Sequence, residues 1–180
     1  MASGERKALS EVRVGDKLLV YSDEAKSIVF SDIVVVPHAS KTWKVEFVLL
    51  VTSAGDRLRL TPDHLIVAGD CGTLANSSSH KSGVPTLPLI SANKVFPGLC
   101  VLTLSGVQSV QSVSRVVSEG AYTALPQDAG LLVVNNIVVS PHAKNHLVAA
   151  WFYSTHCLVY SIAPQWLNSL FFESLNSCAS

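Results

Sequence analysis

Charge is scarce in this 180-residue chain: Asp, Glu, Lys and Arg make up 14% of it, and 13 cations balance 13 anions. With no net charge and no basic patch, the electrostatic footprint that holds nucleic acid is missing. Cysteine is sparse too. Cys71, Cys100, Cys157 and Cys178 form no C-x-x-C pair and no paired Cys/His spacing, so zinc and dithiol redox motifs have no support. In a chain that is neither small nor Cys-dense, two disulfides can form but none can be assigned. There is no G-x-S-x-G nucleophile elbow and no glycine loop of the phosphate-binding kind. The opening "MASGERKALSEVRVGDK" has no apolar core of a secretory signal and reads as a start in mid-element. An uninterrupted membrane span is also missing. The longest candidate, from Leu147, is broken by Ser154, Thr155 and His156 and again by Pro164 and Gln165.

What is present is apolar: 48% of residues are hydrophobic, enough for one domain with a sizeable core. Residues 12–142 read as all-β. "DKLLVY", "SIVFSDIVVV", "KVEFVLLVT", "RLRLT", "HLIVA", "CVLTL", "VQSVSRVVS" and "GLLVVNNIVVS" are short runs rich in Val, Ile, Leu and Phe, separated by Gly, Pro, Asp, Ser or Asn. Many short strands at close spacing predict a sandwich-like or barrel-like domain. "AGDCGTLANSSSHKSGVPT" reads as a polar, mobile loop. A faint repeat is visible. "VRVGDKLLVYS" (Val12 to Ser22) matches "VFPGLCVLTLS" (Val95 to Ser105), with Gly15 and Gly98 83 positions apart, and at that offset Ser31 and Val34 meet Ser114 and Val117. Taken at face value it predicts two related β halves joined near the polar loop; chance likeness among Val-rich strands is the competing explanation. From His142 the texture becomes helical, with Leu147, Trp151, Leu158, Ile162, Trp166 and Leu170 at helical spacing and a break before Pro164. An amphipathic tail lying on the domain, a partner or a membrane surface fits this pattern.

The chemistry-bearing candidates are few. In "RLRLTPDHLIVAGD", Thr61-Pro62-Asp63-His64 interrupts an apolar run. Across such a turn a hydroxyl and an imidazole can face one point. The imidazole can hand a proton to a poor leaving group such as an amide nitrogen, and the hydroxyl can hold an oxyanion. Taken alone, these residues are better described as a plain Pro-Asp turn with an incidental histidine. His38, after a β run and Pro37, sits at a strand end where it can act as a second general base or simply lie on the surface. His142 and His146 have a metal-pair spacing but no matching third ligand, and Pro141 explains a helix start there. Cys71, beyond the Thr61/His64 turn, is reactive if exposed, and Cys100 reads as core.

Four ordered blocks resemble the hedgehog-type autoprocessing (hog) domain of the Hint superfamily. They are "KALSEVRVGDKLLVYSDEAKSIVFSDIVVV", "RLRLTPDHLIVA" with its T-x-x-H, "KVFPGLCVLTL" with Leu99 where an Asp is usual, and "GAYTALPQDAGLLVVNNIVVSPHA". The resemblance implies an all-β, compact Hint-type fold with pseudo-twofold halves over residues 1–143, lacking its first strand, followed by a short C-terminal helical tail over 144–180. It implies self-cleavage: a cysteine at the first residue of the domain attacks the preceding peptide carbonyl, and the thioester is resolved by a second nucleophile, a sterol or water. By motif position His64 protonates the departing nitrogen and Thr61 holds the intermediate. His38 stands where animal hedgehogs carry an acidic residue that activates the sterol. The substrate is the protein's own N-terminal segment, no metal or cofactor is involved, and the setting is extracellular or the secretory pathway. The nucleophilic cysteine is absent from the opening residues, so this chain is expected not to cleave as it stands. Val139-Ser140-Pro141 fills the place of the intein His-Asn, and Asn135-Asn136 comes too early, which disfavours splicing. The rival expectation is a degenerate Hint-fold module that binds a partner or membrane through Trp151, Trp166, Phe171 and Phe172.

Overall fold

A computed structural model describes residues 6–22, 25, 27–79, 87–128 and 130–142, and, of these, all side chains but those of 37–40 and 77–79. The helical tail expected over 144–180 and the histidine at 146 lie outside the described residues.

The first half opens with a 3-10 turn, Leu9–Glu11, followed by β1 (Lys17–Ser22) and the long β2 (Ser27–Thr52). Then come β3 (Arg57–Leu60), β4 (Leu65–Gly69) and the helix α1 (Cys71–Ser79). The second half has β5 (Leu89–Ser91), a second 3-10 turn at Ala92–Lys94, β6 (Cys100–Thr103) and β7 (Gly106–Pro126). β8 (Leu131–Val134) and β9 (Ile137–Val139) finish the described chain. The strands form one sheet in the order β1-β8-β9-β4-β6-β7-β2-β3, with β5 on β4. Because β1 also pairs with β2, the path closes on itself and leaves few unpaired edges.

The internal repeat is structural. The two 3-10 turns stand at the same 83-residue offset, and each ends on a buried valine, Val12 or Val95, whose N–H bonds back to Leu9 or Ala92. Gly15 has φ of 90° and Gly98 of 97°, conformations that strain any residue with a Cβ. In each half this glycine N–H donates into the long strand that follows, to Ile33 O at 2.8 Å or Val110 O at 2.9 Å. The hairpin is shorter in the second half, where Leu104 and Ser105 alone turn the chain.

The strand boundaries differ from the expectation in two places. "SIVFSDIVVV" and "KVEFVLLVT" are parts of one strand, β2, and the intervening "PHASKTW" is its irregular middle. The β2–β7 register shifts between Val35 and His38 and again between Ser40 and Lys44. At such a bulge Pro37, which has no N–H to donate, is tolerated inside a strand. "GLLVVNNIVVS" is not one strand but two. Asn135 and Asn136 adopt φ of 48° and 71°, the left-handed pair that a tight hairpin needs and that Asn tolerates best after Gly.

Val20, Ile33, Leu50, Ile66, Val101 and Ile137 are fully buried at the centre, drawn from both halves. A second cluster contains Val67, Leu74, Leu102 and Val138. The polar stretch from Cys71 to Ser79, expected to be a mobile loop, is the helix that caps this cluster. Three features outweigh its weak helical pattern. The Asp70 carboxylate accepts the Thr73 N–H at 3.1 Å as an N-cap, and that bond, with one from the Thr73 hydroxyl, holds its carboxyl below the usual range. Leu74 is completely buried. Cys71 is joined to Cys100 by a disulfide, with 5.0 Å between their Cα atoms. The expectation of a reactive Cys71 is thereby corrected, while Cys100 is buried in the second cluster.

The bridge closes a loop with a sequence separation of 29. Restricting the unfolded chain over that length stabilises the fold by about 3–4 kcal/mol. Cys71→Ser is expected to lose that amount in urea unfolding, and added dithiothreitol should then lower the midpoint of the unsubstituted protein but leave that of the variant unmoved.

Candidate functional site

Thr61, Pro62, Asp63 and His64 link β3 to β4. His64 N–H donates to Thr61 O at 2.9 Å, closing a four-residue turn with Pro62 at its second position, where its fixed φ suits the bend. The second 3-10 turn clamps it from outside: Asn93 N–H donates to Pro62 O at 2.9 Å and Ala92 N–H to His64 O at 2.8 Å. The apolar run is interrupted here because the turn must leave the sheet, and its carbonyls are then satisfied by the other half of the molecule.

The His64 ring points to the end of β9. Its Nε2 lies 2.7 Å from the carbonyl oxygen of Ser140, a residue with no exposed surface. A carbonyl only accepts, so Nε2 carries the proton and the lone pair is on Nδ1. Burial lowers the His64 pKa, and the bond to Ser140, which favours the charged ring, does not fully offset this. The resting imidazole at neutral pH is therefore a neutral group with a basic Nδ1.

The segment that follows β9 is pinned residue by residue. Ser140 N–H donates to Leu65 O at 3.0 Å, and Leu65 N–H donates to His142 O at 3.3 Å. His142 N–H donates to the Ser140 hydroxyl at 3.0 Å, and the Thr123 hydroxyl on β7 donates to Pro141 O at 3.0 Å. These bonds bring three parts of the sequence, 61–65, 121–123 and 139–142, to one cleft of about 490 Å³. Thr61, His64, Thr123, Ser140 and His142 line its polar wall. Trp43, Val45 and Phe47 from β2, with Leu58 and Leu60 from β3, are among its apolar lining residues.

Thr61 and His64 thus stand together as the T-x-x-H motif implies. His38 is in β2, in register with Thr123, which lines the cleft; the His38 side chain lies outside the described residues. Neither Cys71 nor Cys100 lines the cleft, and both belong to the far end of β4, where Gly69 pairs with Cys100. Among the described residues no group of three metal-ligating side chains occurs. His142 was visible in the sequence only as half of a metal pair. Its actual place, buried on the cleft wall, follows from main-chain bonds to Ser140 and Leu65 that spacing does not show. Thr123 and Ser140 carried no such signal.

Comparison with known proteins matches this architecture. The family model described as the Hint module matches residues 1–174. Warthog protein 6 of Caenorhabditis elegans is 30% identical over 143 residues, 77% of this chain and 22% of that protein. The Tiggy-winkle hedgehog protein of Danio rerio is 28% identical over 177 residues, 93% of this chain and 39% of that protein. The chain thus spans well under half the length of these relatives. In fold it is similar to the crystal structure of a DnaB intein from Synechocystis, with a TM-score of 0.58 at 13% identity over 80% of this chain and 91% of that one. An intein-like domain from Clostridium thermocellum gives a TM-score of 0.57 at 18% identity, covering 74% and 87%. The closed sheet of two related halves, the clamped T-x-x-H turn and the match over nearly the whole sequence lead to one conclusion: the chain belongs to the Hint module family.

Proposed function

We propose that this domain cleaves the peptide bond at its own N-terminal side by an N-to-S acyl shift. One observation carries the reading: a half-buried, neutral imidazole, His64, oriented by a 2.7 Å bond to Ser140 O and sharing a cleft with the Thr61 hydroxyl. A cysteine thiol attacks the carbonyl of the residue before it, forming the C–S bond. His64 Nδ1 accepts the thiol proton and returns it to the amide nitrogen as the C–N bond breaks. A neutral ring with a free lone pair suits that relay, since it must first take a proton before it can give one. Thr61 donates a hydrogen bond to the oxyanion. The thioester is then resolved by a hydroxyl nucleophile, water or a sterol.

The first cysteine in the sequence is Cys71, which is bonded to Cys100. In this reading the nucleophile is a cysteine on the N-terminal side of the opening strand, and none stands among residues 1–70. The disulfide supports folding in an oxidising compartment, hence the secretory pathway or beyond it. Splicing is not part of this reading. Asn136 donates to the Asp56 carboxylate at 2.9 Å and Asn135 to Arg57 O at 2.8 Å, so both are committed to a turn against β3, outside the cleft.

The test is expression of the chain with the residues its gene encodes upstream, through the first in-frame cysteine. Dithiothreitol should release the N-terminal segment, and His64→Ala should slow release by about 10²-fold or more. Thr61→Ala should slow it by a comparable factor. No release with added thiol would sink the reading. If no cysteine is in frame, the binding-module alternative takes its place, and flotation of the protein with liposomes then tests the membrane part.

A second outcome follows from the lowered His64 pKa. The folded state binds fewer protons than the unfolded one below the ordinary value of about 6.5, so this contribution to stability is present above pH 6.5 and is lost as pH falls toward the lower folded value. His64→Gln should flatten the decline of the melting temperature between about pH 7 and pH 5. An unchanged slope would mean that the ring is not buried neutral.

A further inference from the structure

We propose that His142 is a second acid–base residue of the cleft, taking the proton of the hydroxyl that resolves the thioester. The inference rests on the self-cleavage reading and concerns only its second step. In most acyl transfers the first leaving group diffuses away and frees the acid–base residue for the next step. Here the departing amine belongs to the nucleophilic cysteine itself, so it stays tethered beside the imidazole that protonated it. His64 has no other nitrogen to offer, because Nε2–H is committed to Ser140 O at 2.7 Å. Resolution of the thioester therefore calls for a base elsewhere on the cleft wall.

Among the described residues no carboxylate lines the cleft, and the imidazoles that do are His64 and His142. His142 is 7% exposed. Its backbone is held on both sides, N–H to the Ser140 hydroxyl and C=O from Leu65 N–H, so its position relative to the neighbouring His64 is fixed by main-chain bonds. Pro141, held through its carbonyl by the Thr123 hydroxyl and fixed in φ by its ring, further restrains the backbone before it. Arg59 from β3, Thr61 and His64 from the β3–β4 turn, Tyr122 and Thr123 from β7, and Ser140 also line the cleft that a bound hydroxyl would enter.

The step balances without any further reagent. The hydroxyl oxygen forms a bond to the thioester carbon as His142 takes its proton. The C–S bond then breaks, and the imidazolium returns the proton to the thiolate. Water yields a free carboxylic acid and an alcohol yields an ester, so the mass of the released N-terminal product separates the two sources.

The experiment uses the protein with its encoded upstream residues and compares two rates. Thiol-induced release reports the N-to-S shift, since dithiothreitol attacks the thioester without a general base of its own. Release without added thiol reports resolution by the hydroxyl. His142→Ala is expected to slow the second about 10²-fold while the first stays within about threefold. His142→Gln keeps hydrogen-bonding capacity but cannot take a proton, and should show the same split; it decides the matter if the alanine variant does not unfold cooperatively. Equal loss in both rates, no loss in either, or full resolution by the glutamine variant would overturn the proposal. So would the same split from His38→Ala with none from His142→Gln. Failure of the unsubstituted protein to release anything with thiol would instead count against the self-cleavage reading.

Discussion

The hydrogen bond from His64 Nε2 to Ser140 O ties the working parts of this molecule together. It joins a turn in the first half to the end of the last described strand, 76 positions later in the sequence. Ser140 is wholly buried, so its carbonyl must find a donor or carry the cost of a lost hydrogen bond. The imidazole meets that need, and in doing so has its tautomer and orientation set. The same bond determines which nitrogen remains for chemistry. Burial, which lowers the pKa, and the carbonyl, which raises it, act against each other, and burial is the larger effect. Removing the imidazole would therefore leave a buried acceptor unpaired and, in the proposed reaction, take away the proton relay.

Much of the fold could be read in the sequence because the repeat obeys backbone constraints. Gly15 and Gly98 are both at positive φ, and Val12 and Val95 both cover the core behind a 3-10 turn. Such positions tolerate few residue types, so the same signal stands in both halves. Thr61 and His64 stood out as a hydroxyl and an imidazole breaking an apolar run, and the blocks around them gave that turn its meaning. The four blocks in order, more than any one of them, identified the family.

What was not legible depended on contacts between distant segments. The continuity of β2 across Pro37 is a property of its pairing with β7, whose register shifts absorb the missing donor. The helix at Cys71 has little apolar pattern of its own and depends on Leu74 entering a cluster built by β4, β6 and β9, and on a bridge to Cys100. His142 carries no motif. Its importance comes from main-chain bonds to Ser140 and Leu65, which sequence spacing does not reveal.

The two halves differ where their tasks differ. In the first, Asp16 follows the positive-φ glycine. Partial burial pulls its pKa up, but Lys7 at 2.6 Å and the Arg13 N–H at 2.8 Å more than compensate and hold the carboxyl below its usual range. This ties the opening segment, and with it Leu9 on the cleft wall, to the start of β1. At the equivalent position of the second half stands Leu99, which has no charge to hold a flanking segment. There the 3-10 turn is secured instead by donating the Ala92 and Asn93 N–H groups to the His64 turn. In the first half an ion pair holds the segment around its turn to β1, and in the second the turn itself clamps His64. Both turns lie beside one cleft, and at Leu99 the second half has main-chain contact with the His64 turn where the first has an ion pair.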